Sequence, residues 1–508
     1  MTEVLAVAKK SVPDTTTDAR FAAVLARSEP QAAAILPALR DPKLRARQAI
    51  LHGPVLATML SLAWPTLVVL VAQVAVGVAE TFYVSYLGTS ALAGVALVFP
   101  ILMSMAMMSN GALGGGVASA VARALGAGRK DDANALVMHA LIIAVAFGLL
   151  FTGVTLLLGR AIYGGLGGTG AVLDAALTYS AFVFVGAVPS WIVSLLAAAL
   201  RGAGNVKVPA RVTLISAVVL VVLSPALIFG FGPLPRLGIA GAGTAVSAFN
   251  VVAAIALIQY MRSGRSVLVL KPVRLEQRLF AEILRVGLLS AVGTAQFNLT
   301  VLLVTGAVGF FGADALAGYG IASRLDYLLI PLLFGLGTAV VTMVGTNIGA
   351  GAMPRARRIA WTGALLAALA TAAIGAFVAI FPTAWLGLFS SEANVLATGT
   401  LYLQIVGPTY GFVGLGLALY FASQGAGRVL WPLLAGFARL LTAAVGGWVA
   451  IHWLGGGLPG LCLAITLSLV VLGTTVAVAT WAGAWASRGP IAEAGVNDHL
   501  SRALRITD

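Results

Sequence analysis

The residue with the most chemistry to offer is Glu80, because of where it stands. It is the only formally charged side chain between Arg47 and Arg123, in a run that reads HGPVLATMLSLAWPTLVVLVAQVAVGVAETFYVSYLGTSALAGVALVFP from His52. An apolar run of this length fits a lipid bilayer, where an ionised side chain costs roughly 2.5–3.5 kcal/mol even on insertion scales. A residue that expensive is expected to work for its place. Loss of hydration favours the neutral acid, so a carboxyl at membrane depth can take up and release a proton. The competing reading is an acid that snorkels to the outer interface or caps a packing hydrogen bond. Its depth in the run that starts near Val55 favours the first.

Two further groups of residues can do chemistry. Arg324 and Asp326 fall inside one apolar stretch and Arg439 inside another. Two positions apart on a helix, Arg324 and Asp326 do not face each other, and Arg439 is the candidate partner for Asp326. Together they read either as a second-lobe charged network that carries substrate or a second proton, or as a structural ion pair. The other group could line a substrate cavity. It comprises Gln73, Phe99, Met103, Met107, Asn110, Gln296 and Tyr327. Methionine is soft and adaptable, aromatic faces hold organic cations, and amides in apolar helices line cavities or glue helices together. Gln424 shares that last ambiguity.

Several chemistries are excluded or unsupported. No GxxxxGK[ST] occurs, so no nucleotide-triphosphate site is read. The four histidines, His52, His139, His452 and His499, are scattered and make no metal site. Cys462 is the single cysteine, so no intrachain disulfide can form. No cofactor is expected. No Asp/His, Ser/Lys or zinc constellation at membrane depth suggests an intramembrane enzyme.

The elements that must position these residues are membrane helices. The chain is 60% hydrophobic and 9% charged over 508 residues, against about 25% charged in soluble proteins. The net charge of +14 sits in short loops without interleaved aromatics, which argues for membrane topology rather than nucleic acid. Windows of about 20 apolar residues give twelve expected spans: 57–82, 90–122, 134–158, 173–199, 209–232, 238–261, 283–310, 315–346, 359–382, 395–422, 430–453 and 459–483. The second and eighth carry Pro100 and Pro331 with nearby glycines and are expected to tilt or kink. Alternate loops and both tails hold 27 of the 31 basic residues, against Arg160 and Arg236 on the other face. That split puts both termini in the cytoplasm. Residues 1–54 read as a polar N-terminal extension, with loop at Thr15–Asp18 and short helices in 21–39; it reads as a solubilising, topology-setting tail, with contacts of Lys43, Arg45 and Arg47 to anionic headgroups as the alternative. No cleavable signal peptide is evident there.

The chain is duplicated. Gly126-Ala127-Gly128 recurs as Gly349-Ala350-Gly351, Gly202-Ala203-Gly204 as Gly425-Ala426-Gly427, and Gln73 as Gln296, all 223 positions on. Leu92-Ala93-Gly94 recurs as Leu316-Ala317-Gly318 after 224. A constant offset marks an internal repeat. Each half has an even number of spans and so enters the membrane in the same sense. The expected fold is an all-α integral membrane protein with twelve transmembrane helices. They form two six-helix lobes related by a pseudo-two-fold along the membrane normal, with a cleft between them suited to alternating access. The boundaries read are a first lobe at 55–262, a cytoplasmic linker at 263–282, a second lobe at 283–485 and a tail at 486–508.

LAWPTLVVLVAQVAVGVAETFYVSYLG, LGAGRKDDA, LRGAGNVKVP and GTNIGAGAMPRA resemble the multidrug and toxic compound extrusion (MATE) family of secondary antiporters, over about residues 55–485. The resemblance implies export of organic cations or related small molecules against entry of protons or sodium ions, from the inner membrane, by a chain acting alone. Pro65 and Glu80 match a family proline and acid fifteen residues apart, with Glu for the usual Asp. In the fifth span the family's Asn and Asp positions are occupied by Leu220 and Ser224. The implied first-lobe cation site is thus Glu80 with hydroxyl help from Ser224. One carboxylate suits a proton; sodium needs several oxygens. A related flippase for lipid-linked saccharides should show a strongly basic cleft, and only Arg324 and Arg439 are read as intramembrane bases.

Overall fold

The computed structural model describes residues 42–231 and 235–485. The expected loop and short helices before residue 42, and the tail from 486, lie outside the described residues, as do the side chains of Lys43 and Arg45. Helix α1 is Pro42–His52, α2 Val55–Ser85, α3 Thr89–Gly126, α4 Lys130–Gly165, α5 Gly170–Val185, α6 Ala187–Gly202, α7 Lys207–Phe229 and α8 Ile239–Arg262. Then follow α9 Gln277–Gly309, α10 Ala313–Gly349, α11 Met353–Ile380, α12 Ala393–Gly425, α13 Leu430–His452 and α14 Gly457–Trp481. Eleven of these are long and apolar enough to cross a membrane alone, and α5 with α6 makes a twelfth span bent by 47°.

The bends follow local sequence. The α5–α6 break falls at Gly186, with Pro189 in the next turn, where the sequence suggested one straight span. At the matching place α12 is interrupted by a 3-10 turn at Gly407–Thr409, around Pro408. In α3 a π-helical turn at Met107–Leu113 takes up the expected distortion, whereas α10 runs unbroken through Pro331.

The repeat is visible in the bonding. The last glycine of all four Gly-Ala-Gly turns is left-handed, with φ of 77° at Gly128, 74° at Gly351, 79° at Gly204 and 73° at Gly427. Each closes a helix with the same pair of bonds, as in Arg129 N–H to Ala124 O at 2.9 Å and Gly128 N–H to Leu125 O at 3.1 Å, the arrangement that favours glycine after a helix end. The first glycine serves a different purpose. A Cβ on Gly126 would run into the Thr346 carbonyl, and one on Gly349 into the Arg123 carbonyl. These are reciprocal contacts, since 123 and 346 are themselves equivalent positions. Likewise the Ser119 hydroxyl donates to the Gln424 carbonyl at 2.5 Å and the Thr342 hydroxyl to the Arg201 carbonyl at 3.0 Å.

All these contacts lie beside the basic loops, so the halves are sealed on that side. Two buried cores flank the seam. One runs largely from Val84 to Ile283, the other from Val304 to Trp485 with Met59 and Leu62 joining it from α2. The segment between α8 and α9 is fastened to α4. Val269 N–H donates to Asn134 Oδ1 at 2.8 Å, Glu276 N–H to His139 Nε2 at 2.9 Å, and Arg278 pairs with Asp132 at 3.1 Å.

Gly349→Val is expected to lower stability by about 1–3 kcal/mol, the usual cost of overpacking, because the neighbour is backbone that cannot turn aside. Gly165→Val, facing open space, is the control. Thermal unfolding midpoints of the two purified variants check this.

Candidate functional site

Exposed Leu60, Trp64, Val71, Val74, Val78 and Phe82 make one stripe along α2, the face a membrane helix gives to lipid. At 100° per residue Glu80 lies opposite that stripe. Val76, one turn before Glu80 on the same side, packs against a small buried cluster of Leu220 and Leu227 from α7 and Ala245 from α8. Helices α2 and α7 start from the same side and pack together. Glu80 lies one turn beyond Val76 on α2, and Ser224 one turn beyond Leu220 on α7. Ser224 is 0% exposed and its hydroxyl has no hydrogen-bond partner. The Glu80 Oε1 is also buried without a partner. Tyr179 of α5, itself buried, is close enough to feel the Glu80 charge. Gln73, on the same side of α2, is exposed.

A cavity of about 280 Å³ lies in the second half and reaches the π turn of α3 through Met107 and Gly111. Its walls are mostly apolar, and Asp326 and Arg439 both line it. The Tyr402 and Tyr410 hydroxyls lie beside the Asp326 carboxyl, with that of Tyr410 outside strict hydrogen-bond geometry. Arg439 exerts its charge on Asp326, yet no direct ion pair within 4 Å joins them; among the described residues such pairs involve Asp132, Glu276 and Glu282 only. The Arg439 guanidinium stacks over the Phe297 ring at 4.6 Å, and its Nε is buried without a partner. Tyr319 closes the wall edge-to-face on Tyr402, with ring centroids 5.3 Å apart.

The structure thus brings Asp326, Arg439, Gln296 and Met107 to one cavity, while Glu80 and Ser224 lie outside it on the packed helices α2 and α7. Arg324 joins neither: it is exposed and lies over Phe389 at 5.8 Å. Phe99 and Met103 are 52% and 44% exposed and do not line the cavity. The Tyr327 side chain lies outside the described residues. Gln424 holds the halves together, its Nε2 donating to Gly111 O at 3.0 Å, Ser290 Oγ at 3.1 Å and Tyr420 Oη at 3.3 Å. Phe334 and Phe421, edge-to-face at 5.5 Å, form the floor of the cavity. Beneath them is a second pocket of about 10 Å³ lined by Asn110, Arg201, Thr338 and Gln424 among others. Sequence reasoning left out Tyr402 and Tyr410, and counted Arg201 as one more loop cation.

The MatE family model matches residues 65–226 and 290–449, once in each half. The chain belongs to the MATE family. Among its relatives it is 24% identical over 444 residues to a protein of Shewanella oneidensis named FAD transporter, covering 85% of this chain and 95% of the relative. It is 25% identical over 443 residues to a probable multidrug resistance protein NorM of Thermotoga maritima, covering 87% and 95%. Multidrug export protein MepA of Staphylococcus aureus is 23% identical over 393 residues, covering 76% and 85%. Solved MATE structures share the fold. One in the bent conformation superposes with a TM-score of 0.80 at 21% identity, over 86% of this chain and 97% of that one. A MOP superfamily transporter of Pyrococcus furiosus gives 0.78 at 22%, with the same coverage. The all-helical, two-lobe, twelve-span arrangement is the MATE fold.

Proposed function

We propose that this MATE protein is a secondary exporter of drug-like small molecules that couples efflux to proton entry through Glu80. The observation that supports this best is the Glu80 carboxyl, turned from the lipid stripe with its Oε1 buried and unpartnered, on a helix packed against the one that carries the unpartnered Ser224 hydroxyl. An acid with no fixed counter-charge is free to change protonation as the lobes rock. The cavity holding Asp326 and Arg439 receives the substrate, and Arg324 takes no part. We place the protein in the inner membrane as a monomer, termini and basic loops in the cytoplasm, with residues 55–262 and 283–485 as the lobes. In that orientation the lobes are closed on the cytoplasmic side.

The energetics suffice. One charge crossing 100 mV is worth about 2.3 kcal/mol, enough for roughly a fiftyfold gradient of a neutral substrate. A tenfold proton gradient adds about 1.4 kcal/mol. In proteoliposomes, added substrate is expected to drive proton movement that needs no sodium and stops with an uncoupler. Movement that requires sodium would transfer the same site to that ion, and no ion movement would remove the coupling altogether. Ser224→Ala is expected to slow coupled transport by a few-fold, the worth of one neutral hydrogen bond formed to Glu80 during the transport cycle.

A further inference from the structure

We propose that Arg201 is an anion-binding residue at the cytoplasmic floor of the interlobe cavity, so that the compounds this exporter moves carry a carboxylate or phosphate group. The inference rests on the exporter reading above and names its substrate class.

The structural work done at position 201 does not need a charge. The Arg201 backbone carbonyl receives the Thr342 hydroxyl from the other half at 3.0 Å. At the equivalent place, the carbonyl that receives Ser119 belongs to Gln424, a neutral residue. The guanidinium is therefore surplus to the seam. It is also unengaged. Among the described residues, no carboxylate lies within electrostatic reach of it and no ion pair includes it. Arg123, close by, is different: its Nη1 donates to the Ser119 hydroxyl and the Gly425 carbonyl, and it feels the charge of Glu282. A half-buried guanidinium with no counter-charge carries a desolvation cost, and a planar fork of donors is suited to carboxylate or phosphate.

The setting gives that fork a ligand path. Arg201 lines the small pocket together with the amide-bearing Asn110 and Gln424. In this closed state the pocket, about 10 Å³, holds about one water. Arg201 and Gln424 belong to opposite lobes, so parting the lobes on the cytoplasmic side opens the pocket to the cytoplasm. Phe334 and Phe421 line both this pocket and the larger cavity above it. An acidic group held at Arg201 thus places the rest of the molecule against aromatic side chains, below a cavity whose cation, Arg439, lies over Phe297. The matching ligand has an acidic end and an apolar or aromatic body.

Flavin mononucleotide and riboflavin share a fluorescent ring and differ by one phosphate, which makes them a test pair. The purified full-length protein is expected to bind flavin mononucleotide at least about tenfold more tightly than riboflavin, the worth of a charge-assisted hydrogen bond. Arg201→Gln is expected to erase the preference while leaving riboflavin affinity within about twofold, and Arg201→Lys to retain part of it. The Gln variant carries the side chain that the repeat tolerates at 424, and its unfolding midpoint verifies folding. Equal binding of the two flavins, binding of neither, or a preference that survives in Arg201→Gln overturns the inference. Inside-out vesicles that accumulate ethidium and riboflavin but exclude flavin mononucleotide overturn it too while sparing the exporter reading. Vesicles that accumulate none of the three sink the exporter reading itself.

Discussion

Proteoliposomes carrying Glu80→Gln are expected to exchange labelled substrate at equal concentrations on both sides yet to build no gradient when a proton-motive force is applied. Wild-type vesicles at 100 mV should hold a neutral substrate at roughly fiftyfold accumulation per proton; the variant should hold it near unity. Glutamine keeps the size of the side chain and mimics the protonated acid, so the lobes still rock and exchange substrate, but no proton is carried across with them. The variant should fold at least as well as the wild type. The Glu80 Oε1 is buried without a partner and gains no ion pair from its surroundings, so removing its charge removes a desolvation cost and no bond. The rate of the wild type should depend on the pH difference, and that of Glu80→Gln should not. A variant that still accumulates substrate against its gradient would take Glu80 out of the mechanism.

The spans were legible because a bilayer imposes length and hydropathy on each of them. The repeat was legible because close helix crossings and left-handed caps both demand glycine, and so Gly-Ala-Gly survives at a fixed offset. What lay beyond the sequence was the environment of single residues. Gln73 and Gln296 stand at equivalent positions, yet Gln296 is 7% exposed in a cavity wall and Gln73 is exposed. The repeat therefore fixes backbone geometry and leaves the two lobes free to differ in chemistry. Arg324 and Asp326 separate as helical spacing requires, one over Phe389 and one into the cavity. Loop arginines all count alike toward topology, so nothing in the pattern distinguishes Arg201, set between the lobes, from its solvated neighbours. The bend at Gly186 was hidden because hydropathy continues unbroken across it.

The second-lobe pair offers the other large effect. Asp326→Asn and Arg439→Met should each abolish high-affinity substrate binding, and they should differ in folding. Arg439→Met strands the Asp326 carboxyl with only tyrosine hydroxyls beside it, and losing one member of a buried charged pair costs about 3–5 kcal/mol. Asp326→Asn leaves a guanidinium that still lies over Phe297 at 4.6 Å, a contact that keeps part of its stabilisation; its unfolding midpoint should fall less. The double variant removes both charges and should regain most of the wild-type midpoint. If the pair served only to fix the helices, transport would return with it. Because Asp326 and Arg439 both line the cavity and no direct bridge joins them, their charges are open to a substrate, and the double variant is expected to be folded and inactive. Recovery of transport alongside stability would instead make the pair a brace between α10 and α13.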